Sequence, residues 1–462
     1  MANRENDIIR RTRRVVLAGV ALLAFGLVGS VVWWRLRLGH EVNGRLRALQ
    51  EAGLPTSGAE LNKWYAAVPD SENAALMMTQ AFALMRTFPD TRSNEVSRFQ
   101  PPPRGQRLTP DQVQVLSDYI QTNAAALAKV NEALGLPQSR YPVDFSPGFN
   151  TLLPHLGKIK TLAQTYRDQA LLAIDSGHGG DASTSLATTL RLARTLDEEP
   201  GLISQLVRIA VVKIGTGTLE RRLNAGNLSA VELTGLASQF TAVNKTNLLV
   251  RALIGERAIA IPYFRMSRAE INRLTKADEE GSEPQSGPPL AGREPLLFRA
   301  TGFFERDLRF YLQVMQTDIT LAKLGPPRSL VSTNLNQYVE TRTKSRYYIL
   351  SGLLLPSLSG VLIKEAESLA LVRISTTALA AELFRLANNR LPKDLHELVP
   401  GFLPSLPVDP FDGAPLRYKQ LPKGYVIYSV GRDGHDDGGK EPPSKRRGTE
   451  RVPEDITFTV ER

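Results

Sequence analysis

The chain has no cysteine among its 462 residues. That absence excludes disulfide bonds, Cys-ligated zinc and thiol catalysis. It suits an oxidising compartment, where a spare thiol is a liability. Histidine is scarce too. The five are His40, His155, His178, His396 and His435, and no two fall at metal-ligand spacing on one helix. His155, at the start of a helix, reads as a core or capping residue rather than a catalytic base. G-x-S-x-G, Walker A, G-x-G-x-x-G and H-E-x-x-H are all missing. No charge of one sign dominates. Lys and Arg number 57 against 47 Asp and Glu, a net +10, and the two signs are interspersed, so nucleic acid is not an expected partner.

Only one apolar run is long. Arg10, Arg11, Arg13 and Arg14 make a basic head over residues 1–14, and Val15 to Trp34 follows without a charge. About 20 apolar residues cross a bilayer core as a helix. Trp33 and Trp34 stand at its end, where amphipathic aromatics favour the interface. A cleaved signal peptide would be shorter and end in a small-x-small site, and the Arg pairs only loosely match a twin-arginine signal. The expectation is an uncleaved anchor over 15–34 in a bacterial inner membrane, with the lipid bilayer as partner. It crosses once, with the N-terminus cytoplasmic and the bulk extracytoplasmic.

Residues 35–363 read as a mainly α-helical domain. A helix opens after Val68-Pro69, with Asp70 or Ser71 as its N-cap. Thr109-Pro110-Asp111-Gln112 and Ser229-Ala230-Val231-Glu232 are capping boxes, the first opening a helix to about Leu134. Leu162, Tyr166, Ala170 and Ile174 form one apolar stripe, and Leu186, Leu190 and Ala193 a returning one across Gly177–Asp181. That hairpin resembles one tetratricopeptide-type unit, with no second copy at a fixed period. Residues 276–293, rich in Gly, Pro, Ser and charge, read as a mobile loop. Ile349 to Ile363, apolar but short and broken by Pro356, reads as buried core.

Residues 364–462 form the last unit. Leu369, Val372, Thr376, Leu379, Leu383 and Leu386 are spaced as a helical seam over Lys364–Asn389. Pro407-Val408-Asp409-Pro410-Phe411-Asp412-Gly413 is a run of turn formers. Leu416–Gln420 and Tyr425–Val430 alternate as strands, and Ile456–Val460 adds a third. Between them lies the loop Gly431-Arg432-Asp433-Gly434-His435-Asp436-Asp437. This order resembles the C-terminal domain of the major pseudopilin of type II secretion. The chain as a whole is similar to membrane-anchored bacterial envelope proteins with such a tail. The resemblance does not reach the N-terminus, which lacks the prepilin-peptidase motif. It implies a small α+β module with an antiparallel sheet, and a calcium-binding loop. Asp433, in the GxDG element, and Asp455, just before the last strand, match the family's two aspartate ligands. Asp436 and Asp437 are additions that could substitute or supplement. The basic insertion Lys440–Arg451 departs from the pattern and lengthens the loop. Without calcium the same residues make a solvated acidic turn.

Two carboxylate pairs, Glu305 with Asp307 and Glu365 with Glu367, are of the kind a glycan hydrolase uses. Each also sits in an early helical turn, where acids complement the macrodipole. The sequence therefore points to a non-catalytic, membrane-anchored envelope protein. Its role would be one of interaction or structure, with a partner in the envelope or in type II-secretion-like machinery. The alternatives are an extracytoplasmic ligand- or glycan-binding protein and, behind it, a hydrolase.

Overall fold

A computed structural model describes residues 2–87, 96, 99–265, 302–344, 348–355, 360–441 and 454–461. The expected loop at 276–293 and most of the basic insertion at 440–451 lie outside the described residues. The fold is mainly helical, with one three-stranded antiparallel sheet near the C-terminus.

Helix α1 (Ala2–Glu51) is one unbroken helix of 50 residues, about 75 Å long at its standard rise. Its two parts have opposite surroundings. Over the charge-free run the side chains stand exposed, Leu22, Leu23 and Phe25 by 73%, 77% and 80%. Beyond it, Leu38, Val42 and Leu46 are buried at four-residue spacing, the stripe of a helix packed on one side. Arg35 pairs with Glu305 at 2.6 Å and Glu41 with Arg309 at 3.3 Å, fastening α1 to α11 (Phe303–Leu324).

Short helices α2 (Gly58–Trp64), α3 (Ala74–Leu84), α4 (Pro110–Thr122) and α5 (Ala124–Ala133) come next. Both capping boxes form, at Thr109 and Ser229. The cap expected at Asp70 or Ser71 is instead Asn73, whose side chain accepts the N–H of Ala75. The reason is tertiary: the same amide also accepts from Arg140 N and donates to Arg140 O. The helix from Thr109 breaks at Asn123, because the Asn123 amide pairs both ways with the backbone of Arg86.

The hairpin is α6 (Pro154–Asp175) and α7 (Gly179–Arg194), turned by Gly177 at φ +81, a conformation glycine adopts without steric cost. Its facing stripes, Leu162, Tyr166, Leu186 and Leu190, are buried. Helix α8 (Leu202–Asn224) lies against it. A Cβ on Gly215 would sit 2.7 Å from Leu190 Cδ2, so a larger residue there would make the leucine shift. Helix α8 is also apolar and long enough to span a bilayer, yet Val211, Val212, Leu219 and Leu223 are fully buried in the protein core. Then follow α9 (Ala230–Val243), α10 (Leu248–Ala260), α11, α12 (Thr333–Thr343), α13 (Ile349–Leu354) and α14 (Val361–Asn388). The run Ile349–Ile363 is not uniformly core. Leu350, Leu355 and Val361 are buried, whereas Ile349 and Leu353 are 55% and 68% exposed. The six-residue α13 is held at its start, its Leu350 and Ser351 N–H groups donating to Asp307.

The sheet comprises β1 (Arg417–Leu421), β2 (Gly424–Ser429) and β3 (Ile456–Glu461), with β2 central. Each lies within a residue of its expected span. Helix α14 packs on it: Tyr425 donates its hydroxyl to Glu382 Oε1 at 3.1 Å. The leucine seam describes that helix incompletely. Leu379 is fully buried, Leu383 is partly buried and Leu386 is 36% exposed. The close contacts are made by small residues, Ala366, Ala370, Ala378 and Ala381, because α9 and α8 crowd α14 opposite the sheet. One apolar core runs from α3 through the hairpin and α14 into β2 and β3. The free edge of β3 is clasped by α8. Glu220 accepts the N–H of Thr459, while Asn224 donates to Thr459 O and accepts from Glu461 N. Such pairing blunts an edge that could otherwise template aggregation.

Candidate functional site

The end of β2 is organised by Asp409, a residue the sequence marks only as a turn former. It is fully buried. Gly413, at φ +78, lets the turn fold back so that Asp409 N donates to Ala414 O at 2.7 Å. Its carboxylate then faces four donors. Oδ1 accepts from Phe411 N at 3.0 Å and Ser429 Oγ at 2.8 Å. Oδ2 accepts from Val430 N at 3.0 Å and Arg417 Nη1 at 2.7 Å. A buried charge is tolerable when paired and hydrogen-bonded in this way. Arg417 also forks onto Asp412, which holds the Asp412 carboxyl below its usual range.

The aspartate loop follows. Gly431, at φ +68, turns the chain where a Cβ would lie 2.1 Å from Glu454 O, so the two ends of the loop touch there. Asp455 accepts from Asp437 N at 3.3 Å and Gly439 N at 2.9 Å. In return Asp437 accepts from Glu454 N at 3.1 Å. Asp436 accepts from Tyr428 Oη and from Gly438 N. Burial is the main influence raising the Asp455 pKa. The amides of Gly439 and Asp437 oppose it, and the charges of Asp437 and Asp436 add to it. Burial and the bond to Asp436 push the Tyr428 phenol up to about 12.

The structure thus brings Asp436, Asp437 and Asp455 together. Asp433 is exposed, accepts the N–H of His435 and lies beside Arg432. His435 does reach the loop, with Nδ1 3.3 Å from Asp437 Oδ1. Among the described residues, no group of three or more His, Asp or Glu is arranged to hold a metal ion. Across the loop, Asp455 and Asp437 accept from backbone N–H groups, so these carboxylates brace the loop's two ends.

The members of each carboxylate pair have different partners. Glu305 binds Arg35 and Asp307 holds the start of α13. Glu365 lines a cavity, while Glu367 acts on Arg432 at the surface. His155 is buried, its Nε2 3.0 Å from both oxygens of Glu199, with the Tyr141 ring stacked on it at 4.3 Å. Ser204 donates to the same Glu199 at 2.5 Å. The carboxylate sits between serine and imidazole, so the histidine is not placed to take the hydroxyl proton.

Comparison with family models, with curated proteins and with solved structures finds no match to this chain. Any functional reading rests on the geometry and the tail resemblance.

Proposed function

We propose that the chain is a single-pass, non-catalytic protein of the bacterial envelope, anchored in the inner membrane through residues 15–34. Its N-terminus is cytoplasmic and its body extracytoplasmic, where it serves as an interaction or structural module. The observation that carries this reading is the apolar length of α1 left bare by the protein. Leaving a large side chain such as Leu22, Leu23 or Phe25 in water rather than in apolar surroundings costs about 1.5–3 kcal/mol each, and a bilayer removes that cost. The basic head fits a cytoplasmic start. The guanidinium of Arg37 lies 5.4 Å from the Trp33 ring centroid at the far end, a pairing suited to the interface.

Because α1 continues without a break into buried contacts, the anchor is fused to the body rather than tethered by a linker. The body is thereby held against the membrane surface. Exposed Ile349 and Leu353 support this placement, since Asp307, which holds α13, is two residues from the Glu305 that pairs with Arg35. The pseudopilin-like tail is the part proposed to meet an envelope or secretion-system partner. Calcium enters as a proposal for its loop: Asp436, Asp437 and Asp455 lie close enough to repel, and a cation with a preference for oxygen would relieve that.

Topology is tested by fusing a reporter active only in the cytoplasm after Arg462. It should be silent. An active reporter, or a mature N-terminus mapping beyond Trp34, contradicts the anchor. The tail's role is tested by co-purification of the full-length protein with inner-membrane secretion components, which a tail carrying Asp409→Ala should lose.

A further inference from the structure

A cavity of about 290 Å³ opens between α8, the α9–α10 turn, the C-terminal end of α11 and the first half of α14. That is near the lower end of the usual ligand-pocket range of about 300–1,000 Å³, so a small occupant fits. Its walls are largely apolar, with Leu202, Leu206, Ile209, Leu248, Leu369 and Val372 among them. Leu324, 54% exposed, is part of the lining.

The lining also carries Gln205, Asn244, Thr246, Asn247, Lys323 and Ser368, and among its charged groups two sets stand out. Arg208 and Lys245 line the cavity and share one carboxylate behind it. Arg208 Nε lies 2.6 Å from Asp197 Oδ1, and Lys245 Nζ lies 2.9 Å from Oδ2. Arg208 Nη2 donates to Val243 O, and Nη1 has no hydrogen bond among the described residues. Two cations against one carboxylate leave positive charge to spare. The second set is Glu365 on α14, whose Oε2 is buried and has no hydrogen-bond partner. A buried acceptor without a donor costs stability, which a ligand can recover. Burial pushes Glu365 up to about 7, with Arg208 the opposing influence.

We propose that this cavity binds a small zwitterion with an apolar side chain, of the amino-acid class, its ammonium donating to Glu365 and its acid group received by Arg208 and Lys245. The apolar side chain lies along the leucines of α8 and α14. An apolar amine would leave the cationic end unused. An apolar acid would leave Glu365 unpartnered, and a neutral sugar would bring no charge for either the cationic pair or Glu365.

The test is calorimetric titration of the full-length protein in lipid nanodiscs with L-leucine and L-phenylalanine. Isoamylamine, 4-methylpentanoate and glucose are the comparisons. At least one amino acid should bind saturably, with the amine, the acid and glucose at least about tenfold weaker. Glu365→Gln, which keeps the size of the side chain, should melt no lower than the parent and bind the amino acid at least about tenfold more weakly. Lys245→Met, on the solvent side, should weaken binding without unfolding. The proposal is overturned by no zwitterion binding at millimolar concentration. Equal affinity of the parent and Glu365→Gln, or tighter binding of the amine, the acid or glucose, also overturns it.

Discussion

Replacing Asp409 should damage this protein far more than replacing Asp412, which binds the same arginine. Asp409→Ala removes an acceptor for four donors at once. Phe411 N, Val430 N, Ser429 Oγ and Arg417 Nη1 all lose their bond. Breaking a buried pair by deleting one partner costs about 3–5 kcal/mol, and a buried donor left unsatisfied about 1–3 kcal/mol. Arg417 retains Asp412 and so is not orphaned, which places the estimate at about 3–5 kcal/mol. Asp409→Asn should be nearly as harmful. Whichever way the amide turns, its NH₂ faces a backbone N–H, and Ser429 Oγ is already an acceptor for Gly431 N at 3.3 Å. Asp412→Ala removes another partner of the same arginine, but at a solvent-reached position where pairs are worth about 0–1 kcal/mol. Urea unfolding of the full-length protein in nanodiscs, followed by circular dichroism, measures the difference. Equal losses for Asp409→Ala and Asp412→Ala, or a loss below about 1 kcal/mol for the former, would refute the hub.

Other outcomes are equally definite. Asn224→Ala should speed amide exchange at Glu461, whose N–H it binds, while leaving β2 protected; unchanged exchange would mean the clasp is idle. Leu379→Ala, fully buried in α14, should cost about 2–5 kcal/mol and Leu386→Ala far less, so equal losses would misplace the helix. Burial raises Asp168 and Asp318 to about 6 and Glu256 and Glu365 to about 7. A carboxyl raised on folding keeps a proton the unfolded chain has lost, so its contribution is full below about pH 4 and fades as pH rises through 6–7. Glu397, held near 2 by Arg390, and Asp412 titrate lower. Between pH 5 and 8 the melting temperature should therefore fall as pH rises, and a rise would contradict these assignments. If the loop takes calcium, melting should rise in millimolar calcium and the rise should vanish in Asp455→Ala; an unresponsive melt would leave the aspartate–amide bracing as the loop's only fastening.

What the sequence made legible was local. The capping boxes at Thr109 and Ser229 and the Gly177 turn all follow from neighbouring residues. The first two strands follow from alternation, and the third from the resemblance. What it hid depended on residues far apart in the chain. Nothing near Asn73 or Asn123 announces Arg140 or Arg86. The DPFDG run declares a turn, but its buried carboxylate acquires a role only when Ser429 and Val430 arrive 20 and 21 positions later. The leucine period of α14 assumes one buried side, and alanines show where the second neighbour packs. Resemblance singled out Asp433 and Asp455, and in space Asp455 meets the two additions, Asp436 and Asp437. The cavity lies between four separate elements, and no single stretch could signal it.

The central claim is that α1 crosses a membrane once and holds the body outside. The absence of native cysteine allows it to be tested with single introduced thiols. In spheroplasts, a membrane-impermeant maleimide should label Lys423→Cys, at the exposed β1–β2 turn. It should label Asn3→Cys only after lysis, and Ala24→Cys only after denaturation. Labelling of Asn3→Cys in intact spheroplasts, protection of Lys423→Cys, or free labelling of Ala24→Cys would contradict the account.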